Sequence, residues 1–275
     1  MRTPAIRTWR GGRIVAACYL ALLAVALLFA PLLALHSPEQ QYRDCPCAAP
    51  SARFLLGTDD LGRDIFSRLL YGGRVSLGAG LAAAMLSVGI GLLSGAAAGF
   101  WRGLPRRAML ALAEVFLTVP WLYLLLAIRA FLPITLAPEH VLLLISAVIG
   151  IAGWAQPGRL IAQQAAEVRE REYVEIAEGL GAGSWYIVRR HLLPALWPLA
   201  ATQFLLLLPG YVLAEVTLTF FGLGVSEPAA SWGSLLAPLR HPETAAGCLQ
   251  LASPLPLLAL LVLACDLLGK RSSRN

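Results

Sequence analysis

Residues 75–101 read VSLGAGLAAAMLSVGIGLLSGAAAGFW, twenty-seven side chains without a charge between Arg74 and Arg102. An α-helix needs about 20 mostly apolar residues to cross the hydrocarbon of a bilayer. This stretch is long enough, and similar stretches lie on both sides of it. Residues 14–35 supply 22 uncharged positions bracketed by Arg13 and His36. Residues 108–133 are apolar apart from Glu114 and Arg129, and residues 141–158 carry no charge. Residues 192–226 are interrupted only by Glu215, which leaves room for one span within 196–222. Residues 244–265 add another 22 uncharged positions. The economical reading is an all-α membrane protein with six transmembrane helices.

Composition agrees. The 275 residues are 58% hydrophobic and 14% charged, with a mean hydropathy of +0.69. A soluble domain carries about 25% charged and roughly 45–50% apolar residues. Thirty-eight charged side chains cannot make a water-facing surface over so much apolar mass. That argues against a soluble enzyme, a disordered chain and a nucleic-acid binder, the last despite a net charge of +6. The basic excess instead reports orientation. Fifteen cations fall on one side: Arg2, Arg7, Arg10 and Arg13, then Arg102, Arg106 and Arg107, the five arginines from Arg159 to Arg190, and Lys270, Arg271 and Arg274. Six fall on the other, five from Arg43 to Arg74 plus Arg240. Cytoplasmic loops hold the excess of Lys and Arg, so both termini are expected inside. Residues 1–13 then form a cytoplasmic segment, 14–35 the first transmembrane helix and 36–74 an outer loop. Residues 75–269 form a core of five further spans with an inner loop at about 156–194, and 270–275 a cytoplasmic tail. The first span is too long for the 7–15-residue apolar core of a secretory signal.

Few groups invite chemistry. Twenty-one of the 22 cations are arginine, and the single lysine, Lys270, lies between Gly269 and Arg271. A phosphate-binding loop needs Gly-x-x-x-x-Gly-Lys-Ser/Thr, which is missing here, so any ATP-driven work needs a partner. His36, His140, His191 and His241 are scattered near span ends, and no metal site is expected. Cys18 and Cys265 fall in apolar runs, as buried inert thiols do. Cys45-Pro-Cys47 sits in a polar loop, where a bridge to Cys248 and a metal contact both remain open.

Two polar loops are long enough to carry information. In the outer one, Leu61, Ile65, Phe66, Leu69 and Leu70 repeat at helical spacing, opposite Arg63, Asp64, Ser67 and Arg68. That pattern predicts a short amphipathic helix in the interface, capped by Thr58 or Asp59, or a solvated re-entry segment that binds nothing. In the inner loop, the residues up to Leu180 predict a helix with Tyr173, Ile176, Ala177 and Leu180 on one stripe. Gly181-Ala182-Gly183 breaks it, and Ser184 is expected to cap a second helix running to Pro194. The first helix is either a knob for a partner's groove or a surface helix packed on its own chain.

Glu175-Ile176-Ala177, Gly181 after three more residues, and His191-Leu192-Leu193-Pro194 after nine more resemble the signature loop of ATP-binding-cassette importer permeases. That loop is usually Glu-Ala-Ala, three residues, Gly, nine residues and Ile-x-Leu-Pro; Ile176 and His191 are this chain's departures. The stretch from Gly57 to Leu77, with Thr58, Asp59, Gly62, Arg63, Asp64, Ser67, Arg68, Arg74 and Ser76, is similar to the C-type subunit of dipeptide and oligopeptide (and nickel) permeases. So are Ala214-Glu215, Phe221-Gly222-Leu223-Gly224, Ser231-Trp232-Gly233, and Trp154 with Arg159. Asp266-Leu267-Leu268-Gly269-Lys270 stands where the family commonly has Asn-x-x-Gly-Asp, and residues 36–53 and 237–250 match poorly.

The resemblance implies a type I importer permease fold, non-catalytic, in a bacterial cytoplasmic (inner) membrane. It implies a second permease subunit, two ATPase subunits that carry ATP and magnesium, and an extracytoplasmic substrate-binding protein, with no cofactor on this chain. The inner helix becomes the coupling helix, with Tyr173, Glu175, Ile176, Ala177, Gly181 and Ala182 docking on an ATPase and Arg159, His191 and Pro194 in its arms. The outer motif comprises Asp59, Gly62, Arg63, Asp64 and Arg68. Glu114 and Glu215 line the path or lock helices. Peptides, nickel or another small solute are the implied cargo. The rival from another class is an ion-coupled secondary transporter, which needs intramembrane ionisable groups and commonly shows inverted repeats that are not visible here.

Overall fold

The computed structural model describes residues 4–101, 103–120, 123–124, 127 and 137–270. Among them the regular structure is helical, and strand-like pairing is limited to isolated bridges between Gln41 and Arg63 and between Thr58 and Asp64. The α-helices are α1 (Pro4–Leu28), α2 (Ala30–Leu33), α3 (Ile65–Phe100), α4 (Leu104–Thr118), α5 (Pro138–Gly153) and α6 (Ala155–Arg169). They continue as α7 (Glu172–Gly179), α8 (Ser184–Ile187), α9 (Leu193–Phe220), α10 (Trp232–Leu236), α11 (Pro242–Gly247) and α12 (Pro254–Gly269).

Four stretches among the described residues are long and apolar enough to cross a membrane: Gly11–Leu28, Ile65–Phe100, Ser184–Phe220 and Leu249–Gly269. A fifth arises if α5 and α6, bent by 40° at their junction, form one broken span. The bend has a local cause. Pro157 has no N–H to offer the carbonyl of Gly153, four residues back, and its ring crowds that carbonyl. Within the expected span at 108–133 the described helix is α4, to Thr118; residues 121–122, 125–126 and 128–136, Arg129 among them, lie outside the described residues.

Three expectations need correction. The amphipathic stretch before the second span is no separate interfacial helix, because from Ile65 on it forms the first turns of α3. Neither Thr58 nor Asp59 caps that helix; Asp64 Oδ2 accepts the Ser67 backbone N–H at 2.9 Å and the Ser67 hydroxyl at 2.6 Å. Ser184 is the first residue inside its helix rather than a cap, and the chain continues from it into α9 through a π-helical turn, Val188–Leu192. A wider turn suits Pro194, which lacks the N–H that a regular helix would aim at Arg190.

Two compact units result. The first comprises residues 1–81, 129–146 and 208–268, the second 82–128, 147–207 and 269–275. In the first, Ile65, Leu235, Cys248 and Leu251 form a buried cluster edged by Leu56, Leu69 and Leu239. A Cys47–Cys248 disulfide, Cα–Cα 5.2 Å, enters the same cluster. Gln250 Nε2 reaches the carbonyls of Ala48 and Thr58 at 3.4 and 3.3 Å, so the 36–64 segment and the turns before α12 are held as one piece. Tyr19 donates to the Leu257 carbonyl at 2.8 Å, joining α1 to α12.

In the second unit the core runs through Ala96 and Phe100 of α3, Ile161, Ala165 and Val168 of α6, Val174 of α7, Ile187 of α8, and Leu196 and Ala200 of α9. Close approach is possible because α3 carries glycine there. A Cβ on Gly95 would lie 2.6 Å from the Gly158 carbonyl oxygen and 2.9 Å from Ile161 Cβ. A smaller cluster sets Trp154 and Ala155 against Ala113 of α4, with the Trp154 and Phe116 rings 5.7 Å apart.

Candidate functional site

The second unit presents the segment 169–194. Helix α7 opens with Glu172 and Glu175 in its first turn, where the exposed N–H groups favour negative charge. It closes at Gly181, whose φ of +85° places it in the left-handed region. The Ala182 N–H bonds the Ala177 carbonyl at 3.0 Å and the Gly181 N–H bonds the Glu178 carbonyl at 2.9 Å. This pair of bonds satisfies carbonyls that a helix end otherwise leaves open, and it needs a residue without Cβ strain at Gly181.

One side chain, Val174, anchors α7 in the core at 1% exposure. The anticipated stripe points the other way: Tyr173, Ile176 and Leu180 are exposed, and Ala177 is intermediate. Trp185 and Tyr186 are exposed beside them. The sequence reading passed over these two aromatics, although bulky apolar side chains in a polar loop were the available signal. Glu175 is exposed and Ala182 half-buried. The His191 ring lies between those of Tyr173 and Tyr186, tilted to the first and edge-on to the second, with centroids 5.6 and 5.9 Å away, and so ties the two arms together. Arg159 is half-buried on α6, and Pro194 is exposed in the first turn of α9.

Arg169, the last residue of α6, was also passed over. Its guanidinium donates to the Phe100 carbonyl, lies 4.8 Å from the centre of the Phe100 ring, and is 3.7 Å from the Glu178 carboxylate.

The first unit presents the 57–77 motif as an ion network. Asp59 Oδ1 accepts the backbone N–H groups of Leu61 and Arg63 at 3.0 and 2.8 Å, while Oδ2 takes Arg63 Nε at 2.7 Å. Gly62 supplies the φ of +76° that this turn requires. Arg63 and Arg68 then converge on Glu227, at 2.6 and 2.9 Å. Arg68, 1% exposed, also reaches the Pro38 carbonyl and Ser234 Oγ. Asp64 sits at the α3 terminus, with His36 Nδ1 3.7 Å away. Burial disfavours the Arg63 charge, but the carboxylates of Asp59 and Glu227 outweigh it and hold the guanidinium above its ordinary pKa. Burial raises the Asp60 pKa, and the neighbouring Asp59 charge adds to the rise.

Glu215 is fully buried, and Thr219 donates to its Oε1 at 2.9 Å. The hydroxyls of Ser76 and Ser231 lie near the same carboxyl, and Ser76 Oγ accepts the Trp232 backbone N–H at 3.1 Å. The Trp232 indole, fully buried, donates to the Leu69 carbonyl at 2.9 Å. Glu114, by contrast, is exposed on α4. The structure therefore gathers Asp59, Gly62, Arg63, Asp64 and Arg68 in one unit and the 173–191 residues in the other.

Residues 87–272 match the family model described as "Binding-protein-dependent transport system inner membrane component". The chain is 34% identical to the dipeptide transport system permease protein DppC of Bacillus subtilis, over 78% of this chain and 65% of that protein. It is 36% identical to the di/tripeptide transport system permease protein DppC of Pseudomonas aeruginosa, over 81% of this chain and 73% of that one. The oligopeptide transport system permease protein OppC of Haemophilus influenzae is 32% identical over 79% of this chain and 69% of its own length.

Proposed function

The chain belongs to the family of binding-protein-dependent transport system inner membrane components, and we propose that it moves di- or oligopeptides inward as half of an ATP-driven gate. The observation that carries the reading is α7. Its exposed face gathers Tyr173, Ile176 and Leu180 next to Trp185 and Tyr186, and Val174 roots it in the helical core. An apolar helix face with charged ends suits a groove on a partner. The partner is an ATPase subunit, one of two that carry ATP and magnesium. Their closure on ATP draws the coupling helices together and swings the spans from inward-open to outward-open. A second permease completes the pathway, and a substrate-binding protein delivers the peptide.

Six spans with both termini in the cytoplasm complete the picture. Two features support that orientation: the lopsided arginine distribution and the Cys47–Cys248 disulfide, a bond that persists on the oxidising side of a membrane. Peptide cargo rests on what the relatives are called, and nickel or another small solute would use the same machinery. An ion-coupled carrier finds less support. Its best candidate, Glu215, is enclosed by the hydroxyls of Ser76, Thr219 and Ser231.

Purification of the tagged chain from a host that expresses its partner subunits tests the proposal. An ATPase should co-elute, and transport in liposomes should require it. Transport by the purified chain alone would refute the reading.

A further inference from the structure

Arg169 stands where three helices meet. It ends α6, its guanidinium bonds the carbonyl of Phe100 at the end of α3, and it faces Glu178 on α7 at 3.7 Å. The last carbonyls of a helix carry partial negative charge, so a cation there is favoured. A planar guanidinium can also lie over a ring, as this one does over Phe100 at 4.8 Å, while its remaining N–H groups point elsewhere. Neighbouring Val168 is 6% exposed and fixes the backbone from which Arg169 projects. Glu178 comes from the helix that carries the apolar docking face, and its exposed carboxylate faces the Arg169 guanidinium.

We propose that Arg169 is a positioning residue that makes α7 and the end of α3 one mechanical piece, so that displacement of α7 by a docked partner is delivered to α3. The inference rests on the docking role of α7. The apolar anchor of α7 is narrow, since Val174 is its single buried side chain. A helix with one buried side chain can rock about it. The contact from Arg169 to Glu178 adds a point of attachment besides Val174 and the Tyr173–His191 ring contact, and the contact to Phe100 directs the load into the 36-residue helix α3. A coupling element needs such a linkage between two discrete arrangements.

The test uses the assembled complex with its ATPase subunits. Cys18, Cys45 and Cys265 are replaced by serine, and spin labels are attached at Trp101→Cys and Gly179→Cys. The label-to-label distance is read with and without ATP plus vanadate. In the otherwise unaltered chain it should stay within about 2 Å, the scale of small helix shifts. In Arg169→Ala the distance should change on nucleotide binding and its distribution should broaden, while the ATPase remains attached. Arg169→Lys should behave in between, because an ammonium reaches the Phe100 carbonyl and Glu178 without stacking on the ring. Glu178→Gln, altered on the exposed partner, keeps the test valid if Arg169→Ala assembles poorly; it should loosen the distance while sparing the Phe100 contact. A purely structural role would lower yield without making the distance depend on nucleotide. An invariant distance in Arg169→Ala and Glu178→Gln, or a shift as large in the parent chain, overturns the proposal. Loss of the ATPase from the parent complex would instead refute the docking role itself.

Discussion

At the scale of single residues, Gly181 shows how conformation and contact separate. A Cβ there would meet nothing within 4 Å, so space is no obstacle to a larger side chain. The φ of +85° is the obstacle. Gly181→Trp should therefore leave the chain inserted, strain the end of α7 by about 1–2 kcal/mol, and abolish ATPase co-purification through misdirected aromatics and bulk. Retained transport and co-purification would show that α7 is not the docking element. The motif glycine was legible because helix termination favours it, whereas Ser184 misled because serine is favoured both as a cap and inside a first turn. Asp60 supports a pH prediction. Its raised pKa means that folding favours the neutral carboxyl, so its stabilising contribution is present below the ordinary value and is lost as pH rises through the raised one. Asp60→Asn should raise the thermal midpoint relative to the parent chain at pH 7, and the difference should shrink on acidification. A difference that grows toward acid pH would contradict the assignment.

Among the elements, apolar run length located most helices but not their ends. The α3 helix starts at Ile65, ten residues before the uncharged run, because Asp64 caps it and Arg68 is neutralised by Glu227 at 2.9 Å. A partner more than 150 residues away cannot be seen in local periodicity. The same holds for Cys47, whose pairing with Cys248 was one of two open alternatives until the fold brought their Cα atoms to 5.2 Å. The last span was placed a few residues early, since the apolar stretch long enough to cross runs over Leu249–Gly269 and α11 precedes it. The disulfide spans 201 residues, and cross-links over long loops stabilise typically by about 2–4 kcal/mol. Reductant should lower the thermal midpoint of the parent chain and leave that of Cys47→Ser/Cys248→Ser unmoved. Equal sensitivity in both would mean that the bond does not hold these segments together.

For the whole molecule, composition pointed to the membrane and the motifs to the family. What a linear reading could not supply was direction. Helical spacing puts Tyr173, Ile176, Ala177 and Leu180 on one stripe, but which way that stripe faces depends on Val174 and Ile187 entering a core built from α3, α6 and α9. The central claim is that the stripe meets an ATPase on the cytoplasmic side. Ala177→Cys, in a chain otherwise free of reactive thiols, tests it by labelling with a membrane-impermeant maleimide. The residue should stay unlabelled in intact cells, label in inverted vesicles stripped of the ATPase, and be protected when the ATPase is restored. Labelling in intact cells would contradict the account.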